Sequence, residues 1–425
     1  MKTTALRLYG KNDLRLETFE LPAIREDEIL FKVLSDSICM STYKAVIQGT
    51  AHKRIPADVD KNPTMMGHEF CGEIVEVGAK WKGKYAAGDT YSIQPAHNKG
   101  GTLYAPGYSY RYCGGDATYC ILTPELMEMD CLLPYAADAY FYGSLAEPMS
   151  CVIRAYHAVY HTEMGSYKME AGIKKGGNMA ILAGVGPMGL GAIDYALHNP
   201  GKRPGLLVVT DISEERLARA RELFTVEDAK QNGVNLHYLN TANIDAVAEL
   251  MKLTDKGYDD VFVFAPVKPV IEQGDAILAK DGCLNFFSGP ADPSFTAEVN
   301  FYNVHYNYTH IMGTVGGNSD DMREALQMMS AGTLTPSAMV THIGGLSSAA
   351  ETTQNLPNIP GGKKLVYTHI ALPLTAIADF HEKGKADPLF KKLHEIVSKN
   401  RMLWNAEAEH YLLANAPKFG ESKLT

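Results

Sequence analysis

Met179-Ala180-Ile181-Leu182-Ala183-Gly184-Val185-Gly186-Pro187-Met188-Gly189 is the stretch that settles how this chain is built. An apolar run of strand length leads into three glycines spaced G-x-G-x-x-G, and Met188–Leu197 continues as a helix. Gly184 permits the tight turn, Gly186 lets the backbone approach a pyrophosphate, and Gly189 lets the helix pack on its strand. The helix start offers free N–H groups and a positive dipole end to phosphates. Taken alone, the pattern is also met in ordinary glycine turns. Here the next strand, Leu206-Leu207-Val208-Val209-Thr210, ends at Asp211. A carboxylate there accepts hydrogen bonds from an adenosine ribose and repels a 2′-phosphate, which favours NAD(H). Arg216, close by, keeps NADP(H) open, and Asp211 could equally cap the helix Glu214–Phe224. The candidate cofactor residues are Gly184, Val185, Gly186, Pro187, Met188, Gly189, Asp211 and Arg216.

Working outward, apolar strands at Asp259–Phe264, Gly282–Phe287 and Ile311–Thr314 alternate with helical segments. Strands that are apolar throughout and separated by helices predict a parallel sheet covered on both faces. Before residue 150 the pattern is different: alternating strands at residues 4–34, then Met66-Gly67-His68-Glu69-Phe70-Cys71-Gly72-Glu73-Ile74-Val75-Glu76-Val77-Gly78. His68 is a borderline-soft ligand suited to zinc, with a carboxylate beside it at Glu69. Cys39 lies upstream at the end of a strand, and Glu147 downstream in Leu145-Ala146-Glu147-Pro148. Each alone reads as a buried cysteine, a core histidine or a capping glutamate. Cysteine, histidine and carboxylate ahead of a nucleotide loop are what zinc-assisted hydride transfer requires.

On these motifs the chain resembles the zinc-dependent medium-chain alcohol and polyol dehydrogenases over residues 1–368. Within them it is most similar to the L-sorbose 1-phosphate reductases, through Pro106-Gly107-Tyr108-Ser109, Asn300–Tyr306 and Gly361-Gly362-Lys363-Lys364-Leu365-Val366-Tyr367. The resemblance implies an α/β fold of two domains: a discontinuous, β-rich, GroES-like catalytic domain (1–153 and 319–425) and a doubly wound Rossmann domain (154–318), with the site in the cleft between them. It implies one catalytic zinc on Cys39, His68 and Glu147, with Glu69 able to exchange onto the metal. Ser41 takes the position of the hydroxyl that contacts the reacting oxygen; as a residue in its own right it could also cap the helix after Cys39. Lys44 stands where alcohol dehydrogenases often place a relay histidine, and Thr42 where polyol dehydrogenases commonly have Asp. Relatives often hold a second, structural zinc on four close cysteines. Cys113 and Cys120 lack that spacing, so no structural zinc is expected.

The 425 residues exceed one ordinary core, so two domains are the default. A net charge of −9 argues against nucleic acid or an anionic membrane as the main partner. The start of the chain has no apolar leader, and no run is long enough for a transmembrane span. Seven scattered cysteines without Cys-x-x-Cys suit reduced thiols in a cytoplasm. Asp387-Pro388 reads as a helix start, and the apolar residues after it predict helices packed on the first domain or on a neighbouring subunit, or else a solvated tail.

The expected reaction is interconversion of a ketose phosphate and a hexitol phosphate, of the L-sorbose 1-phosphate to D-glucitol 6-phosphate type, by a homo-oligomer (dimer or tetramer). The rivals are a dehydrogenase of unphosphorylated polyols or secondary alcohols, and a zinc-free nucleotide-binding sensor or structural relative. A substrate phosphate needs cations, and Lys44, His52, Lys53, Arg54, Lys99 and Arg111 lie in first-domain loops, though each taken singly reads first as a solvated surface charge.

Overall fold

A computed structural model describes residues 1–136, 138–163 and 165–419. They form two compact units. The first comprises Met1–Pro148, Asn318–Gly332 and the chain from Val340 onward; the second comprises Met149–Gly317 and Thr333–Met339.

The first unit is organised on the strand Ile29–Ile38, almost all of it buried. It pairs antiparallel with Phe70–Val77, Lys363–Tyr367 and Tyr119–Leu122. The eight-stranded sheet runs Thr375–Ala376, Val340–Gly345, Lys363–Tyr367, Ile29–Ile38, Phe70–Val77, Thr90–Ile93, Leu132–Pro134, with Tyr119–Leu122 branching from Ile29–Ile38. Phe31, Phe70, Ile74, Ile93 and Leu122 form one core on this sheet. A smaller sheet places Lys2–Gly10 between Asp13–Glu20 and Thr64–Met65. Strand register sets the site. Asp36 pairs with Phe70 and Ser37 N–H donates to Glu69 O at 3.2 Å, so the exit toward Cys39 runs beside the entry through His68.

The second unit is a six-stranded parallel sheet in the order Asn235–Asn240, Leu206–Asp211, Asn178–Leu182, Tyr258–Val263, Leu278–Phe286, His310–Gly313. Strand order reverses at Asn178–Leu182, and at such a switch point open parallel sheets bind their ligands. The edge strand Asn235–Asn240 escapes sequence reading because it is half polar and buries little of itself. The discontinuous β-rich unit and the doubly wound sheet are the architecture expected from the sequence.

Three local differences have physical causes. The apolar residues around 151–170 suggest a helix there, but the helix runs from Tyr140 to Ala158, with Pro148 inside it. Phe141, Leu145, Met149 and Val152 lie at helical spacing and are buried, and their burial outweighs the proline's cost of about 3 kcal/mol. Beyond it, Tyr160–Thr162 and Met169–Ala171 pair as a hairpin. The described residues from 387 to 419 are not a solvated tail. Asp387 caps Pro388–Ser398 by accepting from Leu389 N–H at 2.9 Å, and Leu393, Val397, Trp404, Ala408 and Leu412 are buried. Among the described residues no helix is long and apolar enough to cross a membrane.

Candidate metal centre and dinucleotide loop

Cys39 ends the strand Ile29–Ile38 and stands at the N-cap of the helix Met40–Gln48. Its sulfur, a His68 ring nitrogen and a Glu69 carboxylate oxygen all lie within 4.8 Å of one another. Thiolate, imidazole and carboxylate are a zinc donor set. Burial, then the Glu69 carboxylate, pushes the Cys39 thiol up to about 12. The sulfur therefore keeps its proton until a cation displaces it. Burial, and then Lys363, hold His68 well below the usual imidazole range, which leaves the ring neutral as a ligand must be. Glu147, on the helix Tyr140–Ala158, is buried and outside that trio, but within electrostatic reach of Cys39, Lys363 and Tyr108.

Ser41 does not cap the helix. Its hydroxyl donates to Cys39 Sγ at 3.1 Å and lies 3.2 Å from His68 Nε2. Thr42 Oγ1 is 3.2 Å from His68 Nδ1 and orients the ring from behind. Lys44 is half-buried on the same helix.

Three neighbours carry no motif of their own. Tyr108 O–H donates to Ser41 Oγ at 2.8 Å and lies 3.2 Å from His68 Nε2. Lys363 donates to both Glu69 oxygens, one at 2.6 Å. Burial opposes the Lys363 charge, but the Cys39 sulfur and Glu69 carboxylate outweigh it and hold its pKa above the ordinary value. Asp36 Oδ1 accepts from the Glu69 N–H at 3.1 Å and fixes the turn before the strand. Burial, then Asp116 and Glu69, hold the Asp36 carboxyl well above its usual range. Burial likewise pushes Asp116 up to about 7. Gly107 has φ +75°, and a side chain there would meet Gly67 O at 2.1 Å, so the Tyr108 loop can approach His68 only as glycine. Tyr108 and Lys363 fall in stretches that mark the resemblance, yet nothing in their spacing predicts these contacts.

In the second unit the helix Pro187–His198 starts straight after Gly186. A Cβ on Gly186 would meet nothing within 4 Å, whereas one on Gly189 would lie 2.1 Å from Gly184 O. The backbone is open to a phosphate at the first and shut against its own loop at the second. Asp211 ends its strand buried. It is not the cap of the next helix: Ser213 is, accepting from Arg216 N–H at 3.3 Å. Asp211 Oδ1 instead accepts from Ser213 N–H at 3.0 Å and Arg216 Nη2 at 2.7 Å.

Residues 25–151 match the alcohol dehydrogenase GroES-like domain family and residues 187–331 the zinc-binding dehydrogenase family. The chain belongs to the zinc-type medium-chain alcohol and polyol dehydrogenases and is an oxidoreductase acting on alcohol groups. Among its relatives, the mannitol-1-phosphate 5-dehydrogenase of Aliivibrio fischeri is 51% identical over 97% of both chains. The L-sorbose 1-phosphate reductase of Klebsiella pneumoniae is 49% identical over 97% of this chain and 98% of its own. A Sinorhizobium meliloti 1021 structure of the zinc-binding dehydrogenase type, bound to NADP, superposes with TM-score 0.69 at 19% identity, covering 86% of this chain and 99% of its own.

Proposed function

We propose that this protein interconverts a ketose phosphate and a hexitol phosphate with NAD(H) or NADP(H). The observation that carries the reading is near-50% identity, from end to end, to two enzymes named for phosphorylated hexose derivatives. It is supported by a half-buried cysteine with a buried histidine and a buried carboxylate, all within reach of one another. Cys39, His68 and Glu147 are the residues that would hold zinc, with Glu69 beside them. Zinc supplies Lewis acidity to the substrate oxygen and the nicotinamide exchanges a hydride with its carbon.

The chain's own part is to hold the substrate and move the proton. Ser41 Oγ, already hydrogen-bonded beside Cys39 and His68, gives its proton to the ketone oxygen on reduction and takes it back on oxidation. Tyr108 O–H, donating to Ser41, holds that hydroxyl in place beside the two candidate ligands. Lys363 donates to both Glu69 oxygens and holds that carboxylate in place at the site. Gly184–Gly189 would seat the pyrophosphate, and Asp211 the ribose, with Arg216 able to turn to a 2′-phosphate.

A homo-oligomer fits the exposed Ile311 on the open edge strand His310–Gly313 and the exposed Val315 just beyond it, and free thiols fit a reducing cytoplasm. The test is a comparison of phosphorylated and free hexitols and ketoses, with NADH and NADPH, on zinc-replete protein. Cys39→Ser and His68→Ala are expected to abolish turnover while NADH still binds. Turnover by either variant without metal would end the zinc reading, and equal use of free and phosphorylated sugars would end the phosphate one.

A further inference from the structure

The structure sorts the six cations that could meet a substrate phosphate. Lys99 is paired with Glu128. Arg111 lies over the Tyr112 ring and donates to Asn62 Oδ1 at 3.5 Å. His52 and Arg54 lie against Tyr108, and Lys44 and Lys53 lie within electrostatic reach of His52. The His52 ring stacks on the Tyr108 ring at 5.7 Å between centroids and 14° between planes, and the Arg54 guanidinium carbon is 5.1 Å from the same centroid. His68 packs against that tyrosine too, at 4.8 Å. One ring therefore touches both the candidate metal ligand and two of the cations.

The loop that carries them is fixed. Ile55 is buried in the core with Val46, Val59, Met66 and Tyr108, and Ser109 Oγ donates to Arg54 O at 2.7 Å. Arg54 N–H donates to His52 Nδ1 at 3.3 Å, so a neutral His52 carries its proton on Nε2 and presents a donor. Burial first, and then the charges of Arg54, Lys53 and Lys44, push His52 down to about 4.

Among the described residues no carboxylate pairs with Arg54 or Lys53, and Arg54 Nε is buried without a hydrogen-bond partner. A buried guanidinium N–H without an acceptor is costly, and an anion is what removes the cost. We propose that Arg54, with His52 Nε2–H beside it and Lys44 and Lys53 adding charge, is the subsite that binds the phosphate group of the substrate. The inference rests on the ketose-phosphate reading above and gives it a place on the chain.

The experiment is steady-state kinetics on the full-length, zinc-replete protein with D-glucitol 6-phosphate and D-glucitol, in wild type, Arg54→Gln and Arg54→Lys. The quantity read is the ratio of kcat/KM for the phosphorylated over the free hexitol. Arg54→Gln is expected to lower that ratio roughly 10- to 100-fold, through KM more than kcat, the size of a charge-assisted contact to phosphate. Arg54→Lys should recover part of it, and inhibition by inorganic phosphate should weaken in the same proportion in Arg54→Gln. A ratio within about twofold of wild type overturns the subsite, whether the two activities stay or fall together. A wild type with no preference for the phosphorylated hexitol overturns the ketose-phosphate reading itself.

Discussion

Glu69 and Glu409 are both fully buried in the first unit, and each is satisfied in a different way. Glu69 faces a cation: Lys363 donates to both its oxygens. Glu409 faces neutral donors: the N–H groups of Tyr140 (2.5 Å) and Phe141 (2.9 Å), and Tyr367 O–H (2.6 Å). One short strand, Lys363–Tyr367, supplies a partner to each, from its first residue and its last. A carboxylate matched by a counter-charge beside a cysteine and a histidine is placed for chemistry. A carboxylate matched by two backbone N–H groups at the start of a helix is placed for construction, because those donors have no partner inside the helix. Glu409 thereby fastens the C-terminal helix Ala406–Asn415 to the start of the helix that carries Glu147. The region beyond the family's usual length thus supports one of the candidate zinc ligands.

Lys363→Met should show the difference most strongly. It leaves Glu69 as a buried charge without a partner, and breaking such a pair costs about 3–5 kcal/mol. Urea unfolding should register the loss, and zinc content and turnover should fall with it. A cost below about 1 kcal/mol with full turnover would show that Glu69 needs no counter-charge and would erase the contrast. Glu409→Gln should cost less, about 1–3 kcal/mol, because the amide keeps the shape but presents one acceptor to three donors. Its effect should appear in the unfolding midpoint, with kcat changed far less than in Lys363→Met. A kcat loss as large as that of Lys363→Met would mean that Glu409 acts on the chemistry through Glu147.

The same two sites show what a sequence can and cannot disclose. The Rossmann sheet is legible because its signal is local: an apolar strand, three glycines and a helix within twenty residues, then Asp211. Cys39 and His68 are legible only because their residue types are rare in that combination. Their meeting depends on the register between Ile29–Ile38 and Phe70–Val77, which no spacing states. Lys363 lies 294 residues from Glu69, and Glu409 lies 269 from Tyr140, so neither pairing leaves a periodic trace. Tyr108 is hidden differently. It sits in a Gly- and Pro-rich loop where an aromatic reads as surface, and only Gly107 at positive φ hints that the loop must approach another backbone. Pro148 shows a further limit, since a helix-breaking residue is tolerated where the turns on either side are buried.

Trp404→Phe should produce a smaller effect again. The indole N–H donates to Tyr367 O–H at 2.7 Å, one bond from Glu409, and its loss should cost about 1 kcal/mol with turnover retained. The smallest effect is that of pH, and it bears most directly on the contrast. Burial raises the Glu409 pKa above 4.5, against the hydrogen bonds from Tyr367, Tyr140 and Phe141 that pull it down. In the unfolded chain the group returns to its ordinary value, so between the two values the folded protein holds a proton that the unfolded chain has released. The stability this contributes is complete below the unfolded pKa and is lost as pH rises through the folded one. The margin of wild type over Glu409→Gln should therefore be larger at pH 5 than at pH 8, measured by urea unfolding of both proteins in the same buffers. A margin that grows with pH would mean that three neutral donors stabilise the ionised carboxylate better than burial opposes it. Glu409 would then be a charged site like Glu69, held by hydrogen bonds instead of a lysine.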